Sequence, residues 1–431
     1  MSFFLLLLVA CSPDRPPPAN AGTATWSTPS ETIDASMDSA TTAAAGGVYE
    51  GAWGGGALGM LGLATGDIDG DGLDEVVAGA PKGTGALVLL DDDLSHLATV
   101  HAAAAFTQLG LTVEVVPSPD GPRIAAHERA VGGVGALFVV DPARPDLDGQ
   151  TIDAVAELRA TGPGGGAEAQ IDGLHLVRDE LWVRLEGFAP YSYYSYTVQL
   201  VRVPLSWTEP TLDGAETVGL GHDLFGWMVA GDGRATAVGD AYTIYWYPLD
   251  DERELHAKNA AMLFVGGDDA SLVFLDEGGR SLLTIANDRP SPSLPGSSVF
   301  VVDMDEPTVL ATIRSSDPAR LLGFQVLAPG DLDGDGVDDL VVSAPGDRQA
   351  ASGLPGEVYV FRGPVRGDLT PADADYTFTG IADDGAGSSL ASGDFDGDGR
   401  PDLVIGRPGY PGNGFEEAGR IDRVLGAEIP W

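Results

Sequence analysis

The chain has 431 residues, of which 65 are Asp or Glu and only 23 are Lys or Arg, so its formal net charge is −42. A field of that sign repels phosphate groups, which excludes a basic groove for nucleic acids. The 60 glycines and 30 prolines follow no Gly-X-Y period, a pattern that is typical of a many-stranded β protein and excludes collagen and long helices.

The first eleven residues predict a lipid anchor. Residues 3–9 form an apolar run of seven, too short to span a bilayer but suited to the core of a signal peptide. Residues 8–11 read Leu-Val-Ala-Cys and resemble a bacterial lipobox, in which a peptidase cuts before a lipid-modified cysteine. Cys11 is the only cysteine, so we expect residues 1–10 to be a lipoprotein signal peptide. The alternative is a cytosolic protein with an apolar N-terminus.

Residues 11–46 are expected to form a flexible tether that starts at the lipidated cysteine. They are rich in Pro, Ser, Thr and Ala and show no apolar periodicity, which is typical of a linker. The resemblance to bacterial lipoproteins implies a location in the cell envelope. Ser12, rather than an Asp in that position, implies the outer membrane or the cell surface.

An acidic segment of nine residues occurs three times in the rest of the chain, which indicates a repeat architecture. It reads Asp-Ile-Asp-Gly-Asp-Gly-Leu-Asp-Glu at 67–75, Asp-Leu-Asp-Gly-Asp-Gly-Val-Asp-Asp at 331–339 and Asp-Phe-Asp-Gly-Asp-Gly-Arg-Pro-Asp at 394–402. Each copy is followed by an apolar run and a turn that contains Gly or Pro. We call these segments the acidic loops and number their residues as positions one to nine.

Seven short β-rich segments recur along the chain, with centres roughly 45–63 residues apart. They are residues 86–90, 136–140, 197–203, 242–247, 298–302, 357–361 and 419–425. Seven units of about 50 residues each, within residues 47–431, predict an all-β fold, a seven-bladed β-propeller with four antiparallel strands in each blade. Six or eight blades are the alternatives, because the repeat near residues 166–203 is faint.

The acidic loops predict three calcium sites that are mainly structural. Acids at positions one, three and five direct carboxylates into a tight loop, and glycines at positions four and six let the backbone turn. A carbonyl at position seven and a carboxylate at position nine complete an oxygen shell, which selects Ca²⁺ over zinc or copper. A plain hairpin is the alternative, but it needs only one Asp-Gly pair. The predicted ligands are Asp67, Asp69, Asp71, Leu73, Glu75, Asp331, Asp333, Asp335, Val337, Asp339, Asp394, Asp396, Asp398, Arg400 and Asp402.

The acidic loops and the segments that follow them resemble FG-GAP repeats, as found in the β-propeller of integrin α subunits. The tripeptides at 79–81 and 343–345 match the Gly-Ala-Pro part of that pattern, and 406–408 matches it loosely. The resemblance implies calcium loops on one face of a ring, away from the main partner-binding face. It also implies a role in adhesion.

No motif of a known catalytic mechanism occurs in the sequence. Gly-x-Ser-x-Gly, His-Glu-x-x-His and the phosphate-binding loop are all missing, so we expect a protein that is not an enzyme. The candidate ligand-binding residues are aromatic, because clustered tyrosines can stack on sugars or anchor a partner. They are Tyr191, Tyr193, Tyr194 and Tyr196, and residues 245–247 form a second cluster, Tyr-Trp-Tyr. The alternative is that such aromatics pack between blades.

The sequence therefore predicts a calcium-binding β-propeller anchored at the surface or in the envelope, acting as a binding or adhesion module for a protein or a glycan. The alternatives are an extracytoplasmic hydrolase built on a propeller and a structural scaffold of an envelope complex.

Overall fold

The computed structural model describes residues 47–431, apart from a set of short segments. Those segments are residues 53–55, 84, 105–106, 131–134, 164–168, 188–196, 223–227, 233, 240–242, 249–254, 257–260, 265–269, 289–295, 307 and 348–352. The predicted signal peptide, Cys11 and the tether lie outside the described residues. Within the described residues, no helix is both long enough and apolar enough to cross a bilayer.

Seven antiparallel sheets follow one another along the chain and form the blades of a β-propeller. Blade 1 holds Leu63–Gly66, Glu75–Ala80, Ala86–Leu90 and His96–His101, and blade 2 holds Thr107–Val116, Arg123–Ala130, Ala136–Val140 and Ala156–Thr161. Blade 3 holds Ala169–Val177, Glu180–Gly187, Thr197–Arg202 and Glu216–His222, and blade 4 holds Met228–Gly231, Ala235–Gly239, Thr243–Pro248 and Ala261–Phe264. Blade 5 holds Ala270–Glu277, Arg280–Asn287, Ser297–Asp303 and Thr308–Ser315, and blade 6 holds Val326–Gly330, Asp339–Ala344, Pro355–Phe361 and Tyr376–Ala382. Blade 7 holds Ser389–Gly393, Asp402–Arg407, Arg420–Val424 and, as its fourth strand, Val48–Glu50.

The seven predicted β-rich segments are the third strands of the seven blades. Residues 86–90 and 136–140 coincide with their strands, and the other five differ only at the ends. The predicted seven-bladed, all-β fold is therefore confirmed. The sheets of blades 1, 3 and 5 each have a short fifth strand, which pairs in parallel with the fourth strand of the same sheet. These strands are Gln150–Thr151, Leu255–His256 and Gly367–Leu369, and each comes from the chain segment of the following blade.

The ring closes on itself through the N-terminal strand. Val48–Glu50 pairs antiparallel with Arg420–Val424, so that Val48 lies opposite Asp422. The first strand of each blade contacts the first strands of the two neighbouring blades, and blade 7 contacts blade 1 in this way. The start and the end of the propeller are thus held in one sheet, and blades 6, 7 and 1 are consecutive.

Hydrophobic side chains fill the space between neighbouring blades. Among the described residues, seven buried clusters occur, one at each blade interface. The second strands Glu75–Ala80, Asp339–Ala344 and Asp402–Arg407 are buried at every position. Because blades cover both faces of such a strand, its sequence is a continuous apolar run rather than an alternating one.

The aromatic residues 245–247 belong to this packing. They lie in the third strand of blade 4, where successive side chains point to opposite faces. Tyr247 is buried against Val177 and Trp182 of blade 3. Trp246 packs on the other side against the cluster that contains Phe274 of blade 5. Packing between blades is therefore the role of this cluster.

A buried ion-pair network crosses blade 7. Arg407, which stands where the Gly-Ala-Pro pattern has Ala, is 5% exposed. Its Nη2 lies 2.6 Å from Oδ2 of Asp384, and its Nη1 lies 3.1 Å from Oδ2 of Asp422. Arg420 pairs with Asp422 at 2.8 Å and with Glu50 of the closing strand at 3.5 Å. The network thereby links Asp384, which lies between the last strand of blade 6 and the first strand of blade 7, with the closing strand Val48–Glu50.

The helices are short and lie outside the blades. Among the described residues, the α-helix spans Ile152–Val155, and 3-10 helices span Pro318–Arg320, Pro371–Asp373 and Gly426–Glu428.

Candidate metal centres

The three acidic loops occupy equivalent places in three consecutive blades. Each loop connects the first strand of its blade to the second, in blade 1 (67–75), blade 6 (331–339) and blade 7 (394–402). The first loop is far from the other two in sequence, but ring closure places blade 1 beside blade 7. The loops therefore form one continuous group at one end of the ring, which we call the loop end.

Backbone conformation explains the glycines of the acidic loops. The glycines at positions four and six all have positive φ, from 73° at Gly397 to 98° at Gly72, a region that other residues rarely adopt. The residue at position two is buried in each loop (Ile68, Leu332 and Phe395). The loop is thereby fixed to the core while positions three to six extend outward.

The carboxylate at position nine is the buried centre of each loop. Its oxygen accepts a hydrogen bond from the position-two N–H, at 2.6 Å for Glu75, 2.9 Å for Asp339 and 3.0 Å for Asp402. In blades 6 and 7 the second oxygen accepts from Gly363 at 2.8 Å and Gly426 at 2.7 Å, just beyond the third strand. These bonds place the position-nine carboxylate beneath the outward-facing acids.

Acids from different positions converge in blades 6 and 7. One carboxylate oxygen from each of positions one, three and nine lies within 4.8 Å of the others, both in the set Asp331, Asp333 and Asp339 and in the set Asp394, Asp396 and Asp402. The position-five acids, Asp335 and Asp398, accept the N–H of position seven at 3.0 and 2.8 Å. Like-charged groups this close repel one another unless a cation neutralises them.

The acidic loop of blade 1 contributes to two such groups instead of one. Asp67, Asp69 and Asp71 form the first, and Asp69, Glu75 and Asp91 form the second, each with oxygens within 4.8 Å. Glu75 is one methylene longer than the aspartates at position nine of the other two loops. Its Oε2 accepts the N–H groups of Ile68 and Asp69, whereas its buried Oε1 has no hydrogen-bond partner among the described residues.

The position-nine acids hold their protons unusually tightly. Burial, together with the charges of Asp69 and Asp71, raises the pKa of Glu75 to about 7, against backbone hydrogen bonds that lower it. Burial likewise raises the pKa of Asp339 to about 6. A carboxylate that is costly to ionise in this way is stabilised in its charged form by a bound cation.

The donor set of each loop fits a calcium ion. The oxygens are those of hard carboxylates, and the fully buried Glu75 carboxylate has an oxygen without a hydrogen-bond partner among the described residues. No sulfur or imidazole lies in the three-acid groups of the described residues. Calcium takes six to eight oxygen ligands, whereas zinc prefers nitrogen and sulfur. The carbonyls of Leu73, Val337 and Arg400 stay predicted ligands.

Direct contacts join the acidic loops of neighbouring blades. The N–H of Asp74 donates to the Asp394 carbonyl at 3.0 Å, and Oδ2 of Asp74 accepts the Asp394 N–H at 2.9 Å. Between blades 7 and 6, Nη1 of Arg400 donates to the carbonyl of Asp333 at 3.3 Å. A cation bound in one loop would therefore fix a residue that touches the next blade.

Two residues beside the acidic loops, and one contact made by a loop residue, cannot be predicted from the nine-residue pattern. Asp91 and Arg362 each lie one residue beyond the end of a third strand, and Asp74, at position eight of its loop, contacts the neighbouring blade. Arg362 forms ion pairs with Asp333 and, at 3.7 Å, with Asp335. The acidic run at 91–93 was a visible signal, but its proximity to Glu75 depends on strand register.

The remaining predicted site residues lie outside the described residues. They are Cys11 and the tyrosines Tyr191, Tyr193, Tyr194 and Tyr196. In the chain, residues 188–196 connect the second and third strands of blade 3.

The fold and the loops define a class of protein, the seven-bladed β-propeller with acidic loops between first and second strands. Residues 61–90, 324–361 and 386–422 match the family described as FG-GAP repeat. The protein is thus a β-propeller that carries FG-GAP repeats in blades 1, 6 and 7.

Two curated proteins share a stretch of similar sequence with this chain. The phosphatidylinositol-glycan-specific phospholipase D of Mus musculus is 40% identical over 103 residues, and that of Rattus norvegicus is 40% identical over 105 residues. In both cases the match covers 23% of this chain and 12% of the relative's length.

Proposed function

We propose that this protein is a calcium-stabilised binding module, held at the cell envelope by a lipid on Cys11. The observation that carries the proposal is the convergence of acidic loops in three consecutive blades, with position-nine carboxylates that are buried and hard to ionise. Calcium at these loops would be structural, because each loop joins two strands and contacts its neighbour.

Calcium would matter most at the seam between blades 7 and 1. The two loops at this seam touch through Asp74 and Asp394, and the closing strand has only three residues, Val48–Glu50. A strand of three residues contributes few ladder hydrogen bonds. Cations that fix the loops on both sides of the seam would therefore add to the stability of ring closure.

A ligand would bind at the end of the ring opposite to the loop end. The connections between second and third strands lie at the opposite strand ends from the acidic loops, because neighbouring strands are antiparallel. Residues 191–196, with four tyrosines, are in such a connection. Tyrosines supply apolar area and a hydroxyl group, which suits a glycan or a protein partner.

The phospholipase activity named in the two relatives is not transferred to this chain. The chain spans only 12% of their length, and a shared fold segment does not define an activity. A binding module therefore stays the proposed function, ahead of a hydrolase or a passive scaffold.

A glycan array combined with a pull-down from envelope extracts tests the proposal. The full chain, in calcium, should retain one class of sugar or one stable protein partner. A double variant, Tyr193→Ser with Tyr194→Ser, should lose that ligand while keeping its melting temperature. The matched control replaces Tyr410, which packs against Arg407 and Arg420 in blade 7, by Phe. Turnover of a bound glycan or lipid would favour the hydrolase, and no retained ligand at all would contradict a binding module.

A further inference from the structure

The residue just after the third strand, which the strand register places opposite position nine, differs in charge among the three acidic loops. In strand register, Val76 pairs with Leu90, Leu340 with Phe361 and Leu403 with Val424. Continuing this register one residue beyond the third strand sets Glu75 opposite Asp91, Asp339 opposite Arg362, and Asp402 opposite Leu425. Three otherwise similar loops thus face an acid, a base and an apolar residue.

In blade 1 the opposing acid joins the candidate site. One oxygen each from Asp69, Glu75 and Asp91 lies within 4.8 Å of the others. Glu75 is fully buried, and its Oε1 has no hydrogen-bond partner among the described residues. A buried, unpartnered carboxylate oxygen beside two further acids is costly unless it coordinates a cation. Arg423, the nearby base, donates to the carbonyl of Asp92 rather than to these carboxylates.

In blade 6 the opposing residue is a cation. The guanidinium of Arg362 pairs with Asp333 at position three and lies 3.7 Å from Oδ2 of Asp335 at position five. A second guanidinium, that of Arg400, reaches the Asp333 carbonyl from blade 7. These charges offset the loop's acids and oppose the approach of a divalent cation. Blade 7, with Leu425, lies between the two extremes.

We propose that Asp91 is an additional cation ligand in blade 1, and that the residue opposite position nine ranks the three sites in affinity, blade 1 above blade 7 above blade 6. The inference rests on the proposed calcium binding and adds to it which residues set the affinities. Calcium affinity in proteins is tuned by the number of charged ligands, so one added or opposing charge separates otherwise equal loops. At low calcium only the blade 1 loop is filled.

The test is a calcium titration of the full chain in competition with a chromophoric chelator. The unchanged protein should bind three ions in separable steps. Asp91→Asn should weaken the tightest step by about 10-fold or more, whereas Arg362→Leu, which copies blade 7, should tighten the weakest step by about 10-fold. Leu425→Asp, which copies blade 1, should tighten the middle step.

The matched controls are Asp368→Asn and Arg314→Leu. They change net charge equally at an exposed ion pair between blades 5 and 6, and should leave all three steps unchanged. Circular dichroism and melting in chelator show whether each variant is folded. Glu75→Gln, which is isosteric, gives a second reading of the blade 1 site and should also weaken the tightest step.

Two results would overturn the inference, and they differ in what else they overturn. If three ions bind but Asp91→Asn and Arg362→Leu leave every step unchanged, the ranking is wrong and calcium binding stands. If the unchanged protein binds no calcium at millimolar concentration, the proposed function fails together with the ranking.

Discussion

In blades 6, 7 and 1 the connection between the first and second strands differs from the same connection in blades 2 to 5. In blades 3 and 5, two residues join the first strand to the second, at 178–179 and 278–279, and all four have positive φ. Such two-residue hairpins match the twist of the strands and need no metal. In blades 6, 7 and 1 the same connection is eight residues long and carries up to four acids before the second strand begins.

The acidic loops are therefore not needed to build a blade. A hairpin of two residues suffices, and a crowded acidic loop is destabilising on its own because its carboxylates repel one another. The acidic loops are explained if a bound cation neutralises this repulsion and thereby holds neighbouring blades together.

Breaking the buried network of blade 7 should have the largest effect. Arg407→Ala leaves the buried Asp384 without its ionic partner and leaves the buried Asp422 with Arg420 alone, so the free energy of unfolding should fall by about 3–5 kcal/mol. Denaturant unfolding in the presence of calcium measures this loss of free energy. The control, Arg314→Ala at the exposed pair with Asp368, should cost at most about 1 kcal/mol. Equal losses for both variants would show that the buried network stabilises blade 7 no more than an exposed ion pair does.

The stability of the protein in chelator should depend on pH through the position-nine acids. The pKa of Glu75 is raised from 4.5 to about 7 in the folded protein, so between these values the folded state binds more protons than the unfolded state. Stability therefore falls as pH rises from about 4.5 through 7, by up to about 3 kcal/mol for this group. Glu75→Gln should flatten the profile and raise stability at pH 8, and a profile as steep as before would contradict the assignment.

Removing one acid from an acidic loop should matter only when calcium is present. Asp396→Asn keeps the hydrogen bond that this side chain accepts from the Asp398 N–H at 3.1 Å. With calcium at 100 times its Kd, losing one site should lower stability by about 2.7 kcal/mol, and in chelator by almost nothing. Asp179→Asn, in the blade 3 hairpin, should change the free energy of unfolding by the same amount with calcium and in chelator. A loss for Asp396→Asn that persists in chelator would point to a role without metal.

Glycine substitutions should have the smallest effect. Gly399 at position six has φ of 80°, and a Cβ there would meet no atom within 4 Å, so Gly399→Ala introduces backbone strain alone. We expect a loss of about 1 kcal/mol. Gly278→Ala, in the blade 5 hairpin with φ of 59° and equally open space, should cost a similar amount. A much larger loss at Gly399 would show that the acidic loop tolerates less adjustment than the hairpin.

Much of the fold could be predicted from the sequence, because the strands that pack between blades are apolar and recur at a regular spacing. Ala86–Leu90 and Ala136–Val140 are short apolar runs of this kind. The closing strand could not be found in this way. Val48–Glu50 has three residues and only alternating burial, and its place is set by pairing with a strand at the other end of the chain.

The candidate site was predicted only in part for a similar reason. The nine-residue pattern identifies the acids and glycines of each loop, since their spacing is local. The influence of Asp91 and Arg362 depends on cross-strand register, which no local pattern contains. The adjacency of the three loops depends on ring closure. Long-range pairing is thus what the sequence pattern lacks.

Hydrogen exchange of the full chain, compared between calcium and excess EGTA, tests the central claim most directly. If calcium links blades 6, 7 and 1, the amides of residues 67–80, 331–344 and 394–407 should exchange faster in EGTA. The hairpins at 178–179 and 278–279 should not change, and the melting temperature should fall by many degrees. Equal exchange in both conditions, with an unchanged melting temperature, would contradict the account.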